Sequence, residues 1–173
     1  MKTGFAIWIT GLPASGKSTV SICVADRLRH AGICIAILES DEMRKALTPE
    51  PTYTPDERDR FYLALAAIGG TLTKNGINVI FDATANMRAY RDRARAVIPK
   101  FIEVYISCPI EVCESRDPKG IYRRARSGGA TTVPGIQAEY EPPLRPEVTL
   151  NCLMDKEAAA DAVIVRLKEF QYI

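Results

Sequence analysis

Histidine is almost absent. The 173-residue chain has one, His30, which excludes an imidazole-based triad or a histidine-rich metal centre. Cysteine is sparse and awkwardly spaced. Cys23, Cys34, Cys108, Cys113 and Cys152 are odd in number and form no CxxC pair, which argues against a disulfide framework or a structural zinc site. A reducing, cytoplasmic compartment is expected, with most of these thiols serving as small core residues. No stretch approaches the ~18 apolar residues of a membrane span. The opening MKTGFAIWITGLPASGKS has too short an apolar run, with Lys17 too close behind it, for a secretion signal. A dominant charge is missing as well. Lys plus Arg number 23 and Asp plus Glu 21, a formal net charge of +2. That is too little for a global field that would draw nucleic acid or membrane, so any attraction for anions must come from local clusters.

The content is that of an ordinary globular chain, 47% hydrophobic and 25% charged, and its length suits one domain spanning residues 1–173. Phe5–Thr10 (FAIWIT), Ile33–Leu38 (ICIAIL), Ile77–Phe81 and Phe101–Ile106 are short, near-continuous apolar runs that read as buried strands. Between them lie helical patterns. One covers Ser18–Ala31 with Gly32 as its stop, and a short one follows Asp41. A longer one starts at Thr54-Pro55-Asp56-Glu57 and ends at Asn75-Gly76, and another lies near Ala89–Ile98. Pro109–Ser115 reads as a helical turn or two, Ser127–Pro146 as a Gly- and Pro-rich loop, and Asp155–Phe170 as a last amphipathic helix. Strands alternating with helices predict an α/β domain with a mostly parallel sheet covered on both faces.

The strongest chemical signal is GLPASGKS, Gly11–Ser18, which fits G-x-x-x-x-G-K-[ST]. Binding a polyphosphate requires several donors converging on one anion. Glycines let backbone N–H groups wrap it, and the following helix presents its positive end. Lys17 is placed to neutralise β and γ oxygens, and Ser18 to ligand Mg²⁺. The motif follows a strand and opens a helix, which is its confirming context. ATP is the expected phosphate donor.

The acceptor side is expected at the carboxyl ends of neighbouring strands. LESDEMR places Asp41 just beyond the second strand, where it can accept a hydroxyl proton or cap the short helix. Arg44, one turn on, is placed to grip an anion. Asp82 ends the third strand as a Walker B-like carboxylate for Mg²⁺ or as a turn residue. Arg88 is placed to face the acceptor. Arg91, Arg93 and Arg95 alternate and cannot all share one helical face. Arg116–Gly129 carries Arg116, Lys119, Arg123, Arg124 and Arg126, a composition that suits a mobile lid over the transferring phosphates as well as a basic surface helix.

These segments together resemble the adenylylsulfate kinases, which transfer the ATP γ-phosphate to the 3′-hydroxyl of adenosine 5′-phosphosulfate. The resemblance runs from Ala6 to about Leu150. It rests on IWITGLPASGKST, LESDEMR, YTPDER, FIEVYISCPIEVCESRDPKGIYRRARSG and PGIQAEYEPPLRPEV. It implies a three-layer P-loop kinase fold with a basic lid at about 117–130, Mg-ATP as donor, and a homodimer. Gly11, Ala14, Ser15, Gly16, Lys17, Ser18 and Thr19 would hold the ATP phosphates, with Arg116, Asp117 and Lys119 near the nucleotide. Lys17 and Asp41 would be catalytic. Asp41, Arg44, Tyr53, Arg58, Arg88 and Arg123 would hold the acceptor, and Ser18 and Asp82 the metal. The sequence also departs from the family pattern. Glu39 and Ser40 replace Asp and Gly before Asp41. Phe61, Leu63 and Ala64 stand where the family has Asn-x-Arg-Arg. TANMR (Thr84–Arg88) replaces I-S-P-[FY]-R, Val133 replaces the second stacking aromatic, and Gln137 an Asp. The departures leave three other readings open: a kinase of the same lineage acting on another anionic nucleotide or small alcohol, a 5′-hydroxyl polynucleotide kinase, and a nucleotide-binding module without turnover.

Overall fold

Each apolar run forms a strand, because a run buried on both faces needs cover from both sides. In the computed structural model, which describes residues 3–173, β1 (Ala6–Thr10) leads into α1 (Lys17–His30), and β2 (Ile35–Glu39) into α2 (Ser40–Leu47). α3 (Pro55–Lys74) precedes β3 (Asn78–Asp82), and α4 (Arg88–Val97) precedes β4 (Phe101–Ser107). The short α5 (Ile110–Arg116) and α6 (Ile121–Arg126) follow, then β5 (Val148–Asn151) and α7 (Lys156–Glu169). Met1 and Lys2, part of the segment read as lacking a secretion signal, lie outside the described residues.

The sheet runs β2-β3-β1-β4-β5, and every pairing is parallel. β1 is central, and its residues alternate between two cores. Ile7 and Ile9 pack with Val24 and Leu28 of α1 and Val163 and Leu167 of α7. Ala6 and Trp8 pack on the other face with Phe61 and Leu65 of α3 and Tyr90 and Ala94 of α4. These are the three expected layers. A third, smaller cluster gathers Cys108, Cys113, Tyr122, Ala125 and Val133 beside the α5–α6 region.

Two elements were not read from the sequence. β5 is a four-residue edge strand whose burial alternates between buried and exposed. A strand so short, open on one face, leaves no continuous apolar run to detect. α6 lies within the stretch read only as polar and basic, because three of its six residues, IYRRAR, are arginines and only Tyr122 and Ala125 are buried. Helix α3 begins as read: the Thr54 side chain accepts from the Glu57 N–H, Pro55 opens the first turn, and Asn75-Gly76 ends it. The sheet is more regular than expected, parallel throughout rather than mostly so. All five thiols are free. Cys23, Cys108 and Cys113 are buried as expected, whereas Cys34 is exposed. His30 sits on the last turn of α1, its ring bonded to the Asp26 carbonyl.

Candidate active site

The carboxyl ends of β1, β2 and β3 meet at one cleft of about 730 Å³. That is where a parallel sheet with reversing strand order opens a crevice. The first wall is the Gly11–Ser18 loop. Gly16 adopts φ 106° as it enters α1, and Ala14 also takes a positive φ, 60°, so the backbone curls and turns its N–H groups inward. The first turn of α1 contains no acid, leaving the positive helix end unopposed. Gly11 closes the back of the curl, where a Cβ would lie 2.8 Å from the Ile106 carbonyl oxygen and 2.8 Å from Ser15 Oγ. The Ser15 hydroxyl is buried with no hydrogen-bond partner.

The Lys17 ammonium lies over this curl and donates to the carbonyls of Gly11 (3.2 Å) and Leu12 (3.0 Å). Its surroundings strip it of water and lower its pKa, while the Asp82 charge opposes that fall. Asp82, 3% exposed, ends β3. Burial raises its pKa, and the nearby Ser18 hydroxyl and the Lys17 charge pull it back. Ser18, Lys17 and Asp82 therefore form one group of opposite charges and a hydroxyl. Of the sequence-selected phosphate residues, Ala14, Gly16, Lys17, Ser18 and Thr19 face the cleft, whereas Gly11 and Ser15 stand behind it as its frame.

Opposite lies Asp41. It is not the N-cap of α2, which is Glu39, but sits in the first turn of the helix with its carboxylate 2.5 Å from the Lys119 ammonium. Glu39 comes within 3.8 Å of the same ammonium. Burial and the Asp41 charge raise the Glu39 pKa, while Lys119, bound to Asp41, has its own raised. Glu39 thus faces the cleft although the sequence reading treated it only as a departure from the family pattern.

Arg44, Tyr53 and Arg58 line the far end. Arg44 is buried, paired with Glu57, and its guanidinium carbon lies 4.0 Å from the Phe61 ring centre and 4.8 Å from that of Tyr53. Tyr53 takes a positive φ of 56°. Its turn is held by Glu57, which accepts the Tyr53 N–H at 2.6 Å, and by Arg58, whose Nε donates to the Tyr53 carbonyl at 3.0 Å. Arg58 also donates to Asn86 Oδ1 at 3.0 Å and to the Thr132 carbonyl. Its donors therefore join α3, the β3–α4 loop and the segment after α6. Arg58 faces the cleft, but as a strut.

Two expected acceptor residues stand elsewhere. Arg88 reaches out to Glu141 and the Pro142 carbonyl and is not part of the cleft wall. Its place at the start of α4 turns it toward the 141–142 loop. Arg123 also misses the cleft: its guanidinium folds back against Gly120, 3.0 Å from where a Cβ there would lie. One residue on, Arg124 faces the cleft and an adjoining recess of about 250 Å³. α6 turns Arg124 inward and leaves Arg123 outside, a phase that a five-cation run does not reveal. Arg116 and Lys119 line the cleft as expected, and Arg126 pairs with Glu114 away from it.

Three further side chains organise the site. Tyr122 donates from its hydroxyl to the Pro13 carbonyl at 2.9 Å, tying α6 to the glycine loop. Gln137 donates to the carbonyls of Ala125 (3.2 Å) and Ala130 (3.1 Å) and accepts the Val133 N–H, stitching the turn after α6. Arg91, which the sequence groups with Arg93 and Arg95 without separating their faces, is 1% exposed. It binds Glu103 at 2.6 Å and the carbonyls of Ala85 and Glu141. The alternation of Arg91, Arg93 and Arg95 hid it, since its partner Glu103 arrives from β4.

Comparison with known proteins agrees with this geometry. The adenylylsulphate kinase family profile matches residues 3–151. The adenylyl-sulfate kinase of Rippkaea orientalis is 36% identical over 98% of this chain and 94% of its own length. That of Halothermothrix orenii is 38% identical over 98% and 92%. Among solved structures, the Mycobacterium tuberculosis APS kinase CysC, in complex with AMPPNP and APS, superposes with a TM-score of 0.92 at 31% identity, covering 97% of this chain and 99% of that one. A glycine-wrapped loop, a facing carboxylate and a basic rim on a five-stranded parallel sheet thus occur in a chain that belongs to the adenylylsulphate kinase family.

Proposed function

We propose that this chain transfers the γ-phosphate of ATP to the 3′-hydroxyl of adenosine 5′-phosphosulfate. The carrying observation is that a single cleft of about 730 Å³ holds Lys17, Ser18 and Asp82 on one wall and Asp41, Arg44 and Tyr53 on the other. The family supplies the donor and the acceptor class. The same match separates this reading from a 5′-hydroxyl polynucleotide kinase or a module without turnover.

In this reading Lys17 leaves the Gly11 and Leu12 carbonyls and engages the β and γ oxygens. The acceptor hydroxyl oxygen attacks the γ-phosphorus as the bond from that phosphorus to the β–γ bridging oxygen breaks. ADP carries away the bond's electron pair, and Asp41 takes the hydroxyl proton. Arg44 holds the acceptor's anionic group and Tyr53 lies against its base. Residues 117–130 act as the lid, with Lys119 and Arg124 bringing positive charge to the transferring group.

Ser18 and Asp82 fit a hard divalent cation such as Mg²⁺, because both line the cleft and offer only oxygen. No cluster of three or more His, Cys, Asp or Glu able to hold a metal occurs among the described residues. That suits an ion whose shell is completed by phosphates and water. When bound, such an ion neutralises phosphate charge. A homodimer, from the family resemblance, and a cytoplasmic setting, from the free thiols, complete the proposal; no helix among the described residues is long and apolar enough to cross a membrane.

The test is turnover of ATP with adenosine 5′-phosphosulfate, other nucleotides, small alcohols and a 5′-hydroxyl oligonucleotide, with products weighed by mass spectrometry. A product 80 Da heavier than adenosine 5′-phosphosulfate, formed with ADP, is expected on the order-of-magnitude time scale of ordinary kinases, about 1–100 per second. Preferred phosphorylation of any other acceptor overturns the reading.

A further inference from the structure

Phe61 is 1% exposed and lies on the first half of α3, directly beneath the Arg44 guanidinium. Two rings lie against the guanidinium: its carbon is 4.0 Å from the Phe61 ring centre and 4.8 Å from that of Tyr53. Packing against two rings fixes the plane of a guanidinium and leaves only its edges for hydrogen bonds. One edge is taken. Nη1 donates to Glu57 and, at 3.4 Å, to Thr48. Within hydrogen-bond distance among the described residues only Nη1 has partners, with the Tyr62 hydroxyl also near the guanidinium, and Arg44 lines both the cleft and the recess next to it. Phe61 is itself wedged edge-on against Tyr62 at 5.1 Å, and Tyr62 stacks on Tyr90 at 4.7 Å. Its ring therefore has no freedom to follow a moving guanidinium.

Building on the acceptor reading above, we propose that Phe61 is a positioning residue for the acceptor, acting through Arg44. The ring holds the guanidinium flat and turns its free edge to the cleft, so the acceptor's anionic group meets two pre-aimed donors. The role does not extend to ATP, because among the described residues no hydrogen bond or ring pair joins the glycine loop to Phe61 or Arg44. The family pattern has Asn at this position, and an amide offers hydrogen bonds where this chain offers a face. Position 61 therefore sets how Arg44 is held in this protein.

The experiment compares F61L, F61Y, R44A and the double variant F61L/R44A. Steady-state kinetics with ATP and adenosine 5′-phosphosulfate are measured alongside the NMR resonances of the Arg44 side chain. F61L is expected to raise the acceptor KM about five- to tenfold, the effect of losing one buried cation–ring face, with ATP KM and kcat within twofold. F61Y keeps the ring and restores the acceptor KM. In the R44A background, F61L adds nothing further. The Arg44 Nε–H resonance, shifted upfield by the rings in the parent protein, moves downfield in F61L and not in F61Y. Equal rises in both KM values, multiplicative effects of F61L and R44A, or an unmoved Arg44 resonance overturn the proposal. If F61L does not fold, an F61Y protein with a weakened acceptor KM or a displaced Arg44 resonance overturns it equally. If the parent protein does not phosphorylate adenosine 5′-phosphosulfate, the functional reading falls, while the Arg44 resonance still decides whether Phe61 holds the guanidinium.

Discussion

Replacing Gly11 by alanine tests the phosphate cradle at its frame rather than at its charges. The backbone there takes φ +154°, which side chains rarely adopt. The added methyl would lie 2.8 Å from the Ile106 carbonyl oxygen, a backbone atom of β4 that cannot rotate away, and 2.8 Å from the buried Ser15 Oγ. A disfavoured conformation costs about 1–3 kcal/mol. Overpacking of a closed site adds about 1–3 kcal/mol. The sum, roughly 2–6 kcal/mol, lowers Tm by roughly 4–24 °C for a chain of this size. The loop must also open to admit the methyl, so ATP affinity is expected to fall about tenfold or more, since 1.4 kcal/mol already corresponds to a factor of ten. G16A is the control. Its φ is +106°, yet an added Cβ meets nothing within 4 Å, so it carries the conformational cost alone. Calorimetric melting and ATP titration of both variants provide the assay. If G16A is as damaging to stability as G11A, or if G11A melts and binds ATP like the parent, the packing argument is refuted.

Lid phase can be checked with two single substitutions. R124A, whose side chain faces the cleft, is expected to lower kcat/KM by about one to two orders of magnitude, in the range of losing one pre-aimed donor. R123A, folded against Gly120, is expected to change it less than threefold, a surface-level effect; the reverse ranking in steady-state assays would show that the helix phase is misassigned. Asp82 sets a pH signature. Its folded-state pKa lies above the unfolded value because burial outweighs Ser18 and Lys17, so between those two values the native state binds more protons than the unfolded state. The stability associated with the protonated group is complete below the unfolded pKa, near 3.9, and is lost as pH rises through the folded one. In urea denaturation of the ligand-free protein, D82N should therefore gain on the parent as pH rises from about 4 toward neutrality; a pH-independent gap would contradict the assigned burial.

The amino-acid order alone determined the phosphate loop, the strand–helix alternation and the family resemblance. All three rest on local signals: glycines at fixed spacing, apolar runs of strand length, and a Thr-Pro-Asp-Glu helix start whose contacts lie within one turn. The faces of the cleft were settled only in three dimensions. Arg123 and Arg124 are neighbours in sequence, and only the docking of α6 through Tyr122 onto Pro13 puts one inside the cleft and leaves the other outside. Arg91 could not be told from Arg93 and Arg95 until β4 brought Glu103 to it. Asp41 could have capped a helix, and only the fold shows that its carboxylate instead meets Lys119, 78 positions away. Strand β5 escaped notice because its four residues become a strand only by pairing with β4. Charge, burial and free donors belong to pairs of groups, and the partner's identity is set by how distant segments pack.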